Sequence, residues 1–170
     1  MTDQIEALLA AADSVPAPLR LAVRPEPPQT EQSEQSAPRV MIADDDSGFR
    51  GMLRDWLSDL GVTDVVEAAD GARAVDLASK THPDLILMDL RMPNMDGIEA
   101  ARRVRSTMPS VQVVMLSAYG DEALQQAADE AGVFSYLAKG CSPDLLWQTI
   151  KLAQTYRLQN EQGSRVQLLP

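Results

Sequence analysis

The chain has 170 residues, 45% of them hydrophobic and 24% charged, which is the size and texture of one globular domain with an extension. Its formal net charge of -10 repels phosphate backbones and so disfavours nucleic-acid binding by this chain. The single cysteine, Cys141, excludes an internal disulfide, and no apolar run reaches the roughly 18 residues that a membrane-spanning helix needs.

Met1-Thr2-Asp3-Gln4 lacks a basic segment followed by an apolar stretch, so no secretory signal is read. A cytoplasmic location without a membrane partner is expected. Ile5, Leu8, Leu9 and Ala12 follow helical spacing, but a helix this short is marginal in water on its own. Arg24 to Pro38 reads RPEPPQTEQSEQSAP, too poor in apolar side chains to offset its ordering entropy. Residues 1–38 therefore read as a disordered extension, with a short docking helix near its start as the alternative.

From Arg39 short apolar runs alternate with segments of helical period. Val40–Ala43 opens the series. Phe49, Met52, Leu53, Trp56, Leu57 and Leu60 then mark a helix closed by Gly61. Val62–Ala68 is a weaker strand signal, followed by a helix over Gly71–Lys80. Leu85–Met88 is a strand and Gly97–Met108 a helix. Val111–Leu116 is the fourth strand, and Leu124, Ala127, Ala128 and Ala131 mark a helix closed by Gly132. Phe134–Leu137 is the fifth strand. Ser142-Pro143-Asp144 starts the last helix, with a hydroxyl cap, a proline in the first turn and an acid at the positive end of the dipole. This is a β-α unit repeated five times, hence an α/β fold. Strands apolar at nearly every position predict a parallel sheet between two helix layers. The domain is expected over residues 39–157, with 158–170 as a tail.

Ligands of such sheets bind beyond the carboxyl ends of the strands. Asp44, Asp45 and Asp46 follow the first strand, Asp89 ends the third, Ser117 ends the fourth, and Tyr136 and Lys139 come with the fifth. Carboxylates gathered at one rim repel, and burial adds to the cost, so a cation is expected there. Oxygen ligands suit magnesium, which keeps waters and substrate phosphate in its shell. Asp44 and Asp45 are the candidate ligands, whereas Asp46 also suits a helix cap. Asp89 is either a strand terminator or a carboxylate nucleophile of the kind that forms an aspartyl phosphate. Metal and Lys139 would neutralise charge on a transferring phosphoryl group, and the Ser117 hydroxyl would donate a hydrogen bond.

Residues 40 to 155 resemble the receiver domain of bacterial two-component response regulators. The resemblance rests on VMIADDDSGFRGML, DLILMDLRMPNMDG, VVMLSAY and FSYLAKG. ADDDSGFR and KGCSPDLL look most like receivers whose output is a helix-turn-helix. The resemblance implies a flavodoxin-like (βα)5 fold with strand order 2-1-3-4-5. It implies that Asp89 accepts phosphate from a histidine kinase. Asp45, Asp89 and the backbone carbonyl of Arg91 would ligate magnesium, with Asp44 assisting through water. Ser117 and Lys139 would bind the phosphoryl group, and Tyr136 would turn inward as Ser117 moves toward it.

The chain departs from the family pattern in places. Ser117 replaces the commoner threonine. Gly140 follows Lys139 where many members have proline, which leaves the peptide geometry after Lys139 open, because proline is what makes a cis bond cheap. Arg91 and Tyr119 are bulky at positions that tune phosphate lifetime, which predicts slow self-hydrolysis.

His82, before Pro83, reads as structural or solvated. Cys141 reads as a packing or exposed residue. Trp56, Trp147 and Tyr156 read as partly buried on helices, and Arg102, Arg103 and Arg105 as a solvated helix face. After the fifth helix about fifteen residues are left, where a helix-turn-helix needs several times that. No DNA-binding module is therefore expected here, and either a stand-alone receiver or a shortened regulator fits.

The leading functional reading is a phosphorylation-gated interaction switch rather than an enzyme. Its partners would be a sensor histidine kinase or phosphotransfer protein. The surface of the fourth helix, fifth strand and fifth helix would then engage a partner or a second copy. The alternatives are a transcription regulator without its output domain, a phosphate sink or relay member, and a degenerate scaffold. The intact set of Asp44, Asp45, Asp89, Ser117 and Lys139 argues against the scaffold.

Overall fold

The computed structural model describes residues 37–118 and 122–166. The strands are β1 (Val40–Ala43), β2 (Val65–Ala68), β3 (Leu85–Asp89), β4 (Gln112–Ser117) and β5 (Ser135–Ala138). They alternate with helices α1 (Ser47–Asp59), α2 (Gly71–Thr81), α3 (Gly97–Thr107), α4 (Glu122–Glu130) and α5 (Pro143–Val166). All strand pairs are parallel, in the order β2-β1-β3-β4-β5.

The continuous apolar runs follow from burial on both faces. Val40, Ile42, Leu85, Leu87, Val114 and Leu116 pack against Leu53 and Leu57 of α1 and Leu146, Ile150 and Ala153 of α5. Their strand neighbours Met41, Ala43, Ile86, Met88, Val113 and Met115 face the other way, onto residues of α2, α3 and α4. The period of two is present, but each parity has its own core, so β1, β3 and β4 read as nearly continuous apolar runs, Gln112 being an exception in β4.

The weak second strand begins at Val65, three residues later than the apolar run suggests. Val62 is instead the end of a Schellman motif. Its N–H donates to the Leu57 carbonyl at 2.8 Å, while Gly61 N–H donates to Ser58 at 3.0 Å, with Gly61 at φ 84°. Val62 is buried against Leu57 rather than paired in the sheet. The last helix continues to Val166, past the boundary expected at 157. Leu158, Gln159, Glu161 and Gln162 are good helix formers, and the helix runs on through Asn160 and Gly163. Arg157 anchors the helix on the domain through an ion pair to Asp84 at 2.6 Å. The extension over residues 1–36, including the apolar set Ile5 to Ala12, lies outside the described residues. No helix among the described residues is long and apolar enough to cross a membrane.

One close approach sets the position of β3. Gly97 opens α3 directly against the end of β3, and its N–H donates to the Leu90 carbonyl at 2.9 Å. A Cβ on residue 97 would collide with the Asp89 carbonyl and crowd the Met115 side chain. Gly97→Ala should therefore push α3 away from Asp89 and cost about 1–3 kcal/mol. Urea unfolding would record this as a lower midpoint with an unchanged slope, and an unchanged midpoint would contradict it.

Candidate functional site

The parallel registers bring the candidate residues to one rim. Ala43 pairs with Met88, so Asp44 and Asp89 leave adjacent strands side by side. Asp89 pairs with Leu116, which puts Ser117 one step beyond it on β4. Ser117 pairs with Ala138, and Lys139 N–H donates to the Ser117 carbonyl at 2.8 Å, carrying the ladder one residue past β5. The Asp44 N–H is held by the Ala68 carbonyl at 3.1 Å.

Asp44 and Asp89 are buried, at 1% and 5% exposure, and Ser117 is buried beside them. Asp45 is exposed. A carboxylate oxygen from each of Asp44, Asp45 and Asp89 lies within 4.8 Å of the others. The Lys139 ammonium is 2.8 Å from Asp44 Oδ2 and 3.0 Å from Asp89 Oδ2. Burial pushes the Asp89 carboxyl above its ordinary value. The Lys139 contact opposes that shift, the Asp44 charge adds to it, and a hydrogen bond from the Arg91 backbone N–H opposes it again. For Lys139, burial pulls the ammonium down, but its contacts with Asp44 and Asp89 outweigh this and hold it above its ordinary value.

The residues present fit a divalent cation. Asp44 Oδ1 accepts the Asp46 N–H at 2.9 Å. Its other oxygen, Oδ2, is buried and makes no aligned hydrogen bond, so its contact with Lys139 is an ion pair that leaves lone-pair density unused. Three clustered carboxylates face one ammonium, and an all-oxygen donor set with excess negative charge suits magnesium.

Asp46 is the helix cap. Its carboxylate accepts from Gly48 N–H at 2.8 Å and Phe49 N–H at 3.1 Å. The hydrogen bonds from Phe49 and Gly48 hold its carboxyl below the ordinary value. Two residues of the first turn of α1 reach the site without having been read as site residues. Arg50 donates to the Asp44 carbonyl at 2.7 Å and pairs with Glu67 on β2 at 3.1 Å. The Phe49 ring centroid lies 4.9 Å from Lys139 Nζ. Phe49 had looked like the first core position of an amphipathic helix; its nearness to three acids was the available signal.

Tyr136 is half-buried against the cluster that contains Met115, its register partner on β4. The Arg91 side chain is exposed, while Tyr119 lies outside the described residues. The peptide after Lys139 is trans, as no cis bond occurs among the described residues. His82 is the left-handed C-cap of α2, at φ 48°, a structural position. Cys141, Trp56 and Trp147 are half-buried at the margin of the core, whereas Tyr156 is 51% exposed and stacks obliquely on Phe134. Arg103 pairs with Glu99 on the solvated face of α3, while Arg105 donates to the Val111 carbonyl.

Residues 40–151 match the family model described as the response regulator receiver domain. Transcriptional regulatory protein PdtaR of Mycobacterium tuberculosis is 38% identical over 126 residues, 74% of this chain but only 61% of that protein. Sporulation initiation phosphotransferase F of Bacillus subtilis is 32% identical over 113 residues, 66% of this chain and 90% of that protein. Among solved structures, chemotaxis protein CheY4 of Vibrio cholerae superposes with a TM-score of 0.65 at 30% identity, covering 69% of this chain and 99% of that one.

The raised Asp89 carboxyl has a consequence for stability. A group whose value is raised on folding favours the fold most when protonated, and that contribution is lost as pH rises through its folded value. At neutral pH the ionised Asp89 thus works against the metal-free fold. Asp89→Asn should raise the metal-free melting temperature at pH 7. The gap from wild type should narrow as pH falls through the raised Asp89 value and be closed below the ordinary carboxylate value. A lower melting temperature for Asp89→Asn at pH 7 would contradict this account.

Proposed function

The chain belongs to the response regulator receiver domain family, and from that premise we propose that Asp89 is its phospho-acceptor and that Asp44, Asp45, Asp89 and the Arg91 carbonyl hold a magnesium ion. The observation that carries this reading is the buried Asp89 carboxylate at a strand end, 3.0 Å from Lys139 and clustered with Asp44 and Asp45.

In the transfer an Asp89 carboxylate oxygen bonds to phosphorus while the bond from phosphorus to the donor imidazole nitrogen breaks, that nitrogen keeping the electron pair. Bound magnesium would neutralise charge on the transferring group. The chain's own residues do the rest. Lys139 pairs with a phosphoryl oxygen, and the Ser117 hydroxyl donates to another. The apolar strands behind Asp89 keep water from that side. Ser117 drawn toward the phosphoryl group opens room beside Tyr136 on the neighbouring strand, which reshapes the surface of α4, β5 and α5. That surface would bind a partner or a second copy. The donor would be a sensor histidine kinase or a phosphotransfer protein. The receiver unit would run from residue 39 through α5, and the chain would act as a switch rather than turn over a substrate.

A relay role is the second reading. It is favoured by the similarity to a sporulation initiation phosphotransferase, of which this chain covers 90%. Passage of phosphate from Asp89 to a phosphotransfer histidine would support it.

Incubation with magnesium and a small acyl phosphate should add one phosphoryl group to the wild type, read by intact mass. Asp89→Ala and a chelator should each abolish the gain. No gain in wild type, or a gain that persists in Asp89→Ala, overturns the assignment. Once formed, the phosphoryl group should persist for minutes or longer, because the sequence carries bulky residues, Arg91 and Tyr119, at positions that tune phosphate lifetime in the family. A decay within seconds would sink that part of the reading.

A further inference from the structure

The Lys139 ammonium has a third neighbour besides the two carboxylates. The face of the Phe49 ring stands 4.9 Å from Nζ, within the range where the ring quadrupole attracts a cation. The ring is not there by chance of packing alone, because its backbone is fixed twice over. Asp46 caps α1 and takes the Phe49 N–H at 3.1 Å, and the next residue, Arg50, ties the same turn to the Asp44 carbonyl at 2.7 Å. The third acid of the Asp44-Asp45-Asp46 run thus orients an aromatic ring over the cation that the first acid contacts.

We propose that Phe49 is a positioning residue for phosphoryl transfer: its ring holds the Lys139 ammonium at Asp89 when Asp44 is engaged by a metal ion. The inference rests on the phospho-acceptor reading of Asp89. In the metal-free protein Lys139 bridges Asp44 Oδ2 and Asp89 Oδ2. A divalent cation held by Asp44, directly or through water, would draw on that carboxylate, and its charge would repel the ammonium. Asp89 and the Phe49 ring are then the two of the three contacts that remain. Lys139 lies on a flexible four-carbon stem, so without the ring it gains freedom to swing out to solvent. The side chain is already 21% exposed, so that route is open. Holding it in place keeps its charge where the phosphoryl oxygens arrive, which is preorganisation rather than chemistry.

Shape and electrostatics must be separated, since Phe49 also covers part of the core. Stepwise fluorination of Phe49 in the full chain keeps the ring and drains its negative face. With saturating magnesium and a small acyl phosphate, the phosphorylation rate should fall in step with fluorination while the unfolding midpoint stays at the wild-type value. Phe49→Leu should slow phosphorylation roughly three- to tenfold, the size of one partly desolvated cation–π contact. Its magnesium dissociation constant, by calorimetry, should stay within about twofold, as the ring acts on the Lys139 ammonium, which is not a metal ligand. In a Lys139→Met background, Phe49→Leu should cause no further slowing, because the ring acts only through the ammonium. A flat fluorination series, or full slowing by Phe49→Leu in the Lys139→Met background, overturns the inference while leaving Asp89 as acceptor. A Lys139→Met variant as fast as wild type overturns the inference while leaving Asp89 as acceptor, and a wild type that gains no phosphoryl group overturns the phospho-acceptor reading itself and the inference with it.

Discussion

An ammonium held between two buried carboxylates, Lys139 between Asp44 and Asp89, is the interaction around which the rest of this domain is organised. Removing such charges from water costs on the order of several kcal/mol per ion, and mutual attraction repays this only with good geometry. The fold supplies that geometry through its backbone. β1 delivers Asp44, β3 delivers Asp89, and the ladder between β4 and the chain after β5 delivers Lys139 by way of the Ser117 carbonyl. The close start of α3 at Gly97 then presses on the Asp89 carbonyl and prevents the strand end from drifting. A core made of two apolar layers provides the rigidity that makes an unfavourable concentration of charge tolerable at its rim.

The arrangement is stable but incompletely neutralised, and function follows from that imbalance. The Asp89 carboxyl is pushed up by burial, while the Asp44 oxygen nearest Lys139 lacks an aligned hydrogen bond. On the proposed reading, a site left in this condition would attract divalent charge, and then anionic groups that share their charge with Lys139 and the metal. The response to phosphate proposed for Asp89 would in this sense be prepared before any phosphate arrives.

Much of this was legible in the sequence because parallel sheets constrain so strongly. A residue following a doubly buried strand has to emerge at the carboxyl rim, so Asp44, Asp89, Ser117 and Lys139 could be grouped without coordinates. What was not legible involved alternatives of equal local plausibility. Val62 is apolar whether it pairs in a sheet or folds under a helix end, and only the hydrogen bond to Leu57 decides. The extent of α5 depends on the long-range pair between Arg157 and Asp84. Phe49 and Arg50 were hidden by their helical period, because a residue on the first turn after an acidic run satisfies both the amphipathic pattern and the site. Period distinguishes inside from outside, but it does not distinguish the sheet's flank from its rim.

At the opposite edge of the sheet, Asp84 receives the Arg39 N–H at 2.8 Å and the Arg157 guanidinium at 2.6 Å. Arg39 also pairs with Asp64 at 2.7 Å. The point where the chain enters β1 and the outer part of the last helix are thereby fastened to the same residue, at the amino ends of the strands. Anything tethered to the domain near either place, whether a reporter, a surface anchor or another folded module, starts from the side facing away from Asp89. Such cargo leaves the rim open to an approaching donor. It also senses events there only through the length of the sheet or along α5, as a load at the far end of a lever senses the fulcrum.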